Sequence, residues 1–414
     1  MKFKLLPTAA ALVAVFSAAS ASAEVINADL QKQVEDKQPI VLTPETVVPE
    51  GIVFSGYARY GAHYSDDLYE FVSAEGQLAG NAAGRLGNEG NGGEFQFAKG
   101  FQSDDGAIWD VVVMLEHWGD EIGLKKFYAG VTNIFESQPN AYLWAGRDFH
   151  QRYQHALNDH YWMTHDGQGA GIYNLEFGGL KFDISAVAQV EGSSPADSGN
   201  YAVTSKLHGM DFSDSLSLSL LANYGFASDQ YDENGNKTDV ENDTAYQVAA
   251  VLDNTWSKGS NQFVVRYSDN SDASVFTKTA DQTAIYTGLT GSVNFSENVV
   301  VEYLGAYHNL SNAQDNSQDR TNYSAIVRPM YNWNSVHSTW LEAGYSLVDY
   351  DNDAENSAWK VTLSQNISIN AFDGARPMLR FYAMVGEADN QVTSTSYEAK
   401  QDTFALGAMF ESWW

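Results

Sequence analysis

Asp402-Thr403-Phe404-Ala405-Leu406-Gly407-Ala408-Met409-Phe410-Glu411-Ser412-Trp413-Trp414 is the last stretch of the sequence, and its spacing decides the fold. A β-strand sends successive side chains to opposite faces. Phe404, Leu406, Ala408, Phe410 and Trp414 therefore share one face, broken only by Ser412. Thr403, Ala405, Gly407, Met409, Glu411 and Trp413 share the other. The first face suits lipid; the second takes a carboxylate and an indole into water. Such a strand belongs to a barrel that crosses an outer membrane.

Further along, similar stretches recur between Gly/Asn/Asp-rich breaks. Val53 to Tyr64 sets Phe54, Ala58, Tyr60, Ala62 and Tyr64 against Ser55, Tyr57, Arg59, Gly61 and His63. Comparable segments are Leu175 to Ala188, Leu216 to Tyr224, Ala245 to Leu252, Gln262 to Tyr267, Val299 to Tyr307, Tyr323 to Tyr331, Thr339 to Tyr345, Ala358 to Gln365 and Arg376 to Met384. No fixed-period repeat of the propeller or solenoid kind is present. About 360 residues of barrel, at roughly 20 per strand and connection, allow about 16 to 18 strands. A barrel of that size encloses an aqueous channel. The fold class read from these segments is all-β, a transmembrane antiparallel barrel.

The other end agrees with export. Lys2 and Lys4 precede the apolar run Ala9 to Ala19 and an Ala21-Ser22-Ala23 cleavage site, so residues 1–23 read as a signal peptide. The run is too short to span a bilayer as a helix. Residues 24–50, with Leu30, Val34, Pro39, Pro44 and Pro49, read as a short helical piece and an extended linker, a periplasmic extension. Residues 51–414 form the barrel. Mean hydropathy is −0.33. That excludes a helical membrane protein but not a barrel, in which only alternate residues meet lipid. The 23 Tyr, 21 Phe and 10 Trp suit interfacial girdles, although a soluble lectin would be as rich.

Cysteine is absent, so sheet closure rather than disulfides must supply stability. The formal charge of −30 makes nucleic acid an unsuitable partner. The acids gather in segments such as Asp349-Tyr350-Asp351-Asn352-Asp353, read as solvated outer loops open to a cation such as Ca2+. No cofactor is expected. His155, His160 and His165 lie five apart, which is not a metal-ligand spacing, and Gly167 to Gly171 reads as a turn. No Gly-x-Ser-x-Gly elbow occurs and nothing pins two carboxylates for glycoside hydrolysis, so no enzyme is expected. Arg147 to Gly171, dense in Arg, His, Asp, Tyr and Trp, breaks the strand rhythm and reads as a long loop folded into the lumen.

Around these residues the chain resembles the maltoporin-type carbohydrate porins of Gram-negative outer membranes. The matching pieces are Gly56-Tyr57-Ala58-Arg59, Arg85-Leu86-Gly87-Asn88-Glu89, and Trp144-Ala145-Gly146-Arg147 running into Gln151-Arg152. Then come Asp159, Tyr161, Gly169-Ala170-Gly171, Val327-Arg328-Pro329-Met330-Tyr331, Ala375-Arg376-Pro377 and Trp413-Trp414. Each is short; their order from Gly56 onward is the signal. The resemblance implies an 18-stranded barrel, a homotrimer, and diffusion of malto-oligosaccharides or related sugars. It also implies an aromatic track flanked by polar groups. Tyr57 and Trp413 match track aromatics, and Tyr161 matches the constriction tyrosine. Trp118 matches a tryptophan on a loop that reaches a neighbouring subunit's channel mouth. Arg59, Arg85 and Arg152 match basic wall residues, Lys125 replaces another, and Asp159 matches their acidic partner.

The sequence departs from that pattern at several positions. Glu94 or Gly93 and Ser260 stand where track aromatics are expected, and Gln96 where a wall carboxylate is expected. Gly374 takes the place of a late tryptophan, with Phe372 as the substitute two positions away. The track is thus thinner, which points to a mono- or disaccharide or another glucoside. Two alternatives stay open. One is a general diffusion porin with no sugar site, which the missing aromatics at Glu94 and Ser260 favour. The other is a secreted β-rich lectin or glycosidase.

Overall fold

The computed structural model describes residues 41–48, 50–65, 71–119, 121–190, 199–228, 230–231, 237–238, 244–372, 374, 376–393 and 399–414. The signal peptide, most of the 24–50 extension and parts of the acidic loops lie outside them. Eighteen strands form one antiparallel sheet. It closes where the first strand, Val53–Ser65, pairs with the last, Lys400–Trp413. The register runs from Tyr57 opposite Trp413 to Ser65 opposite Ala405. Backbone bonds of 3.0 and 3.1 Å between Gly56 and Trp414 extend the seam. Closure leaves no sheet edge, which a membrane barrel requires because lipid offers no hydrogen-bond partners.

The two-residue period separates oil from water as the last strand requires. Phe404, Leu406 and Phe410 are 40%, 48% and 37% exposed on the outer face, whereas Ala405 and Glu411 are fully buried. The same alternation leaves Phe97, Trp109 and Val111 outward and Ala98, Ile108 and Val112 inward. No described helix is long and apolar enough to cross a membrane; the strands make the crossings.

One end of the barrel carries short connections, such as the two residues between Phe177 and Leu180 and between Ser296 and Val299. The other carries the long ones, from Ser65 to Gly92 and from Asp148 to Gly167. In outer-membrane barrels the short turns are periplasmic and the long loops extracellular. The segment read as Leu175 to Ala188 is in fact two strands, Gly167–Phe177 and Leu180–Gln189, joined at Gly178 and Gly179, both with positive φ. Gly167 to Gly171, read as a turn, begins the former. Alternation alone cannot show where a two-residue glycine connection reverses the chain.

The 147–171 loop folds into the lumen and forms a small hairpin there, Tyr153–His155 against His160–Met163. Its histidines pin it to the wall. His155 Nδ1 lies 2.8 Å from the Tyr286 hydroxyl, the His160 ring packs on Tyr286 and His308, and the Val275 amide donates to His165 Nε2 at 3.3 Å. Burial pushes His155 down to about 4 and His165 to about 3, so both are neutral pins at pH 7.

A second loop, residues 71–91, is also folded inward, which the sequence reading did not anticipate. Polar inward residues strap its backbone. Asn322 Oδ1 accepts from the Leu78 and Ala79 amides, Glu342 Oε1 from the Leu86 amide at 2.7 Å, and Thr362 Oγ1 donates to the Leu86 carbonyl at 2.8 Å. Among the described residues, no group of three or more His, Asp or Glu side chains is placed to hold a metal ion.

Candidate functional site

The two loops leave a cavity of about 910 Å³ in the lumen. First and last strands build its seam. Their register puts Tyr57 between Trp413 and Glu94 and puts Arg59 beside Glu411. Because 57, 59, 411 and 413 have one parity, all four point inward. Glu411 is the hub. It accepts from the Tyr57 hydroxyl at 3.0 Å, Arg85 at 3.1 Å, Arg376 at 3.0 Å and Arg380 at 3.0 Å. Arg380 also reaches Glu89 at 2.6 Å, and Arg85 stands 3.5 Å from the same residue. Burial of the Glu89 carboxyl would raise its pKa, but Arg380 and Arg85 outweigh that and hold it below the usual carboxylate range.

Guanidinium groups lie on the aromatic rings of this wall. Arg376 sits 4.2 Å from the Trp413 centroid and 5.5 Å from that of Trp340. Arg380 and Arg328 are also over Trp340, at 5.5 and 5.7 Å. The Trp118 ring is 6.4 Å from Tyr57 and has Arg59 over it at 5.2 Å. Such contacts are worth about 0.5–2 kcal/mol each and hold the rings and cations beside one another. The infolded hairpin supplies the facing side. Arg59 pairs with Asp159 at 2.9 Å, and Gln154 donates to the same carboxylate. Arg152 lies 4.4 Å from the Tyr161 centroid and 4.0 Å from that of Phe149, 3.4 Å from Asp166 and 3.9 Å from Glu94. Across the cavity the wall changes character to Asp253, Thr255, Asn261, Gln262, Thr290 and Ser292.

Eight of the expected residues thus meet in one cavity: Tyr57, Trp118, Tyr161, Trp413, Arg59, Arg85, Arg152 and Asp159. Two do not line it. Lys125 lies in a bulge and pairs with Glu116, a lining residue, at 2.8 Å. Phe372 is half exposed in a short turn, with its amide bonded to Asn370; Gly374 reaches the cavity instead. The turn directs the phenylalanine away, so it does not replace an aromatic there. Trp118 also requires correction. It is not on a long loop but is the last residue of strand Ile108–Trp118, two residues from the next strand, and it faces this chain's own lumen.

Glu94 and Ser260 line the cavity, and they are not aromatic. Trp340, Arg328, Arg376, Glu302 and Glu411 line it without having been singled out as site residues. Trp340 shares parity with the buried Glu342, and that alternation was the signal available for it. Arg328 and Arg376 stood inside quoted motifs but had no partner until the barrel closed.

The comparisons decide the lineage. The LamB porin family model matches residues 52–414. The chain belongs to the LamB porin family. Two maltoporins of Vibrio cholerae serotype O1 are each 27% identical over 406 residues, covering 87% of this chain and 94% and 93% of theirs. Among solved structures, Pseudomonas aeruginosa OccK11 (OpdR) aligns over 89% of this chain and 97% of its own, at 11% identity and a TM-score of 0.49. Pseudomonas aeruginosa OpdQ aligns over 88% and 99%, at 14% identity and a TM-score of 0.47. As a LamB porin with a closed 18-stranded barrel, the chain is a channel of the Gram-negative outer membrane.

Proposed function

We propose that this LamB porin conducts sugars by facilitated diffusion, with no catalytic step, along the wall formed by Tyr57, Trp413, Trp340, Trp118 and Tyr161. The observation that carries the reading is the interleaving of aromatic faces with ion-paired guanidinium and carboxylate groups on one side of an aqueous cavity, facing a wall of amides and hydroxyls. A pyranose has an apolar C–H face for the rings and a hydroxyl rim for the polar groups. Each contact is weak and repeated, so a sugar can enter and also leave. The cavity has glutamate, serine and glycine where the family resemblance expects aromatics, which favours a mono- or disaccharide over a long oligosaccharide. Assembly as a homotrimer belongs to the same proposal.

A general diffusion porin is the second reading. The feature that favours it is Arg376, whose guanidinium already covers the Trp413 face. A sugar that stacks there must displace it.

Single-channel current titrated with glucose, maltose and maltohexaose separates the two. Saturable block, strongest for the shorter sugars and weakened in Trp413→Ala, supports the proposal. Absence of block by all three leaves the general pore. Block that is unchanged in Trp413→Ala removes that ring from the track.

A further inference from the structure

Residues 41–48 precede the part of the chain that the family model matches, yet they lie inside the barrel. Leu42 is 1% exposed and belongs to a buried cluster with Ala98, Ile108, Val112, Tyr128 and Tyr142. Ala98, Ile108, Val112 and Tyr128 point inward, since their strand neighbours Phe97, Trp109, Val111 and Phe127 are the exposed ones. Leu42 therefore packs on the inner wall. The cluster runs along the wall from the short-turn end toward the long-loop end, where Val187, Ala202 and Ala245 lie. Ile108 and Tyr142 are the first residues of their strands, at the short-turn, periplasmic end. Val41 and Val48 pack against the same cluster.

The segment has its own local order. Pro44 and Glu45 form the corner of a turn closed by the Thr46 amide on the Thr43 carbonyl at 3.0 Å. The Thr43 amide donates to Thr46 Oγ1 at 2.9 Å. Proline presets the backbone angle that the second position of such a turn needs. Thr46 is buried, whereas Glu45 and Val47 are exposed. One side of the turn therefore faces the wall and the other faces open water.

The wall under it is built for cover. Inward positions beside the water-filled cavity are polar, among them Asp253, Thr255, Gln262, Thr290 and Ser292. The inward positions Ala98, Ile108 and Val112 are apolar and share one buried cluster with Leu42, as burial out of water favours. An apolar inner patch in an aqueous barrel makes sense only with a resident occupant, and the chain's own residues 41–48 occupy it.

We infer that residues 41–48 are a fixed constriction on the inner wall, anchored by Leu42, which sets the largest solute that can pass through the channel. The inference rests on the reading of the chain as an open channel but not on any sugar preference. A turn of eight residues lying on the inner wall takes cross-section from the channel without touching the sugar wall on the seam strands. It acts as a size limit separate from the Tyr57–Trp413 array, since none of residues 41–48 lines that cavity.

The test uses the full chain in planar bilayers. One variant lacks residues 41–48; a second carries Leu42→Asp, which puts a charge onto the apolar patch. Assembly is checked by heat-modifiable migration. Conductance is read together with the largest polyethylene glycol that enters the channel. The expected result is conductance roughly 1.5-fold that of the wild type or more, and a higher polymer cut-off, with sugar block retained. Assembled variants with wild-type conductance and cut-off would overturn the inference. Should neither variant assemble, labelling decides it, since the chain has no native cysteine. A maleimide added from the periplasmic side should spare Leu42→Cys and modify Val47→Cys. Equal labelling would place the segment off the wall. A wild type that shows neither conductance nor block would count against the channel reading itself, a separate outcome.

Discussion

Glu411→Gln is the most informative single change, because one carboxylate organises most of the seam wall. Four guanidinium groups, those of Arg59, Arg85, Arg376 and Arg380, face three carboxylates, Glu89, Asp159 and Glu411. The substitution keeps the side chain's shape but leaves those four cations with two counter-charges. Glu411 is fully buried, and removing one partner of a buried pair typically costs about 3–5 kcal/mol, with the uncompensated cation as the main cause. Glutamine still accepts a hydrogen bond, so the low end of that range is expected. The barrel should assemble but unfold at lower urea in detergent. The pore should respond as well. One unit charge at about 4 Å is worth about 1 kcal/mol in water, or about fivefold in local ion concentration, and less once salt screens it. The zero-current potential across a KCl gradient should therefore shift toward anions. Sugar block should change in the same variant, since Arg376 loses the anchor that holds it over Trp413. Wild-type urea stability together with wild-type ion selectivity would refute the hub role.

Acid should loosen the infolded hairpin before it affects the barrel. The folded-state pKa values of His155 and His165, about 4 and about 3, lie below the unfolded value of about 6.5. The folded loop binds fewer protons, so its stability is full above about pH 6.5 and falls as the pH drops toward about 4. Burial depresses His160 in the same direction, helped by His308, Arg266 and His155 and opposed by Asp272. Protease cleavage within 147–171 should rise between pH 7 and pH 4.5, and equal cleavage at both would contradict the pinning. Gly344→Val should displace the other loop, because a Cβ there overlaps the Ala83 carbonyl oxygen. A cost of roughly 1–3 kcal/mol and altered conductance are expected, and wild-type conductance in the folded variant would argue against that contact. Leu406→Arg, on the outer face, should cost roughly 2–4 kcal/mol in folding into bilayers. If it folds as well as the wild type, the lipid side has been misassigned.

The sequence alone determined the barrel and the side each strand shows to lipid. A two-residue period is a local property, and one parity of Asp402 to Trp414 is apolar while the other carries Glu411 and Trp413. The same parity placed Tyr57 and Trp413 on the water side, and closure made them neighbours. Tertiary structure decided what the local pattern could not hold. Residues 71–91 fold inward because Asn322, Glu342 and Thr362, 244 to 276 residues away, carry the groups that bind their backbone. Trp340 joins the site because three arginines from two other segments converge on it. Trp118 joins the same cavity because it ends a strand whose neighbour carries Tyr57's partner Glu94. Leu42 is buried because a closed wall offers it an apolar patch. Alternation says which face a residue takes; only closure of the sheet says what stands opposite it, because the partners are brought together by the ring and not by the chain between them.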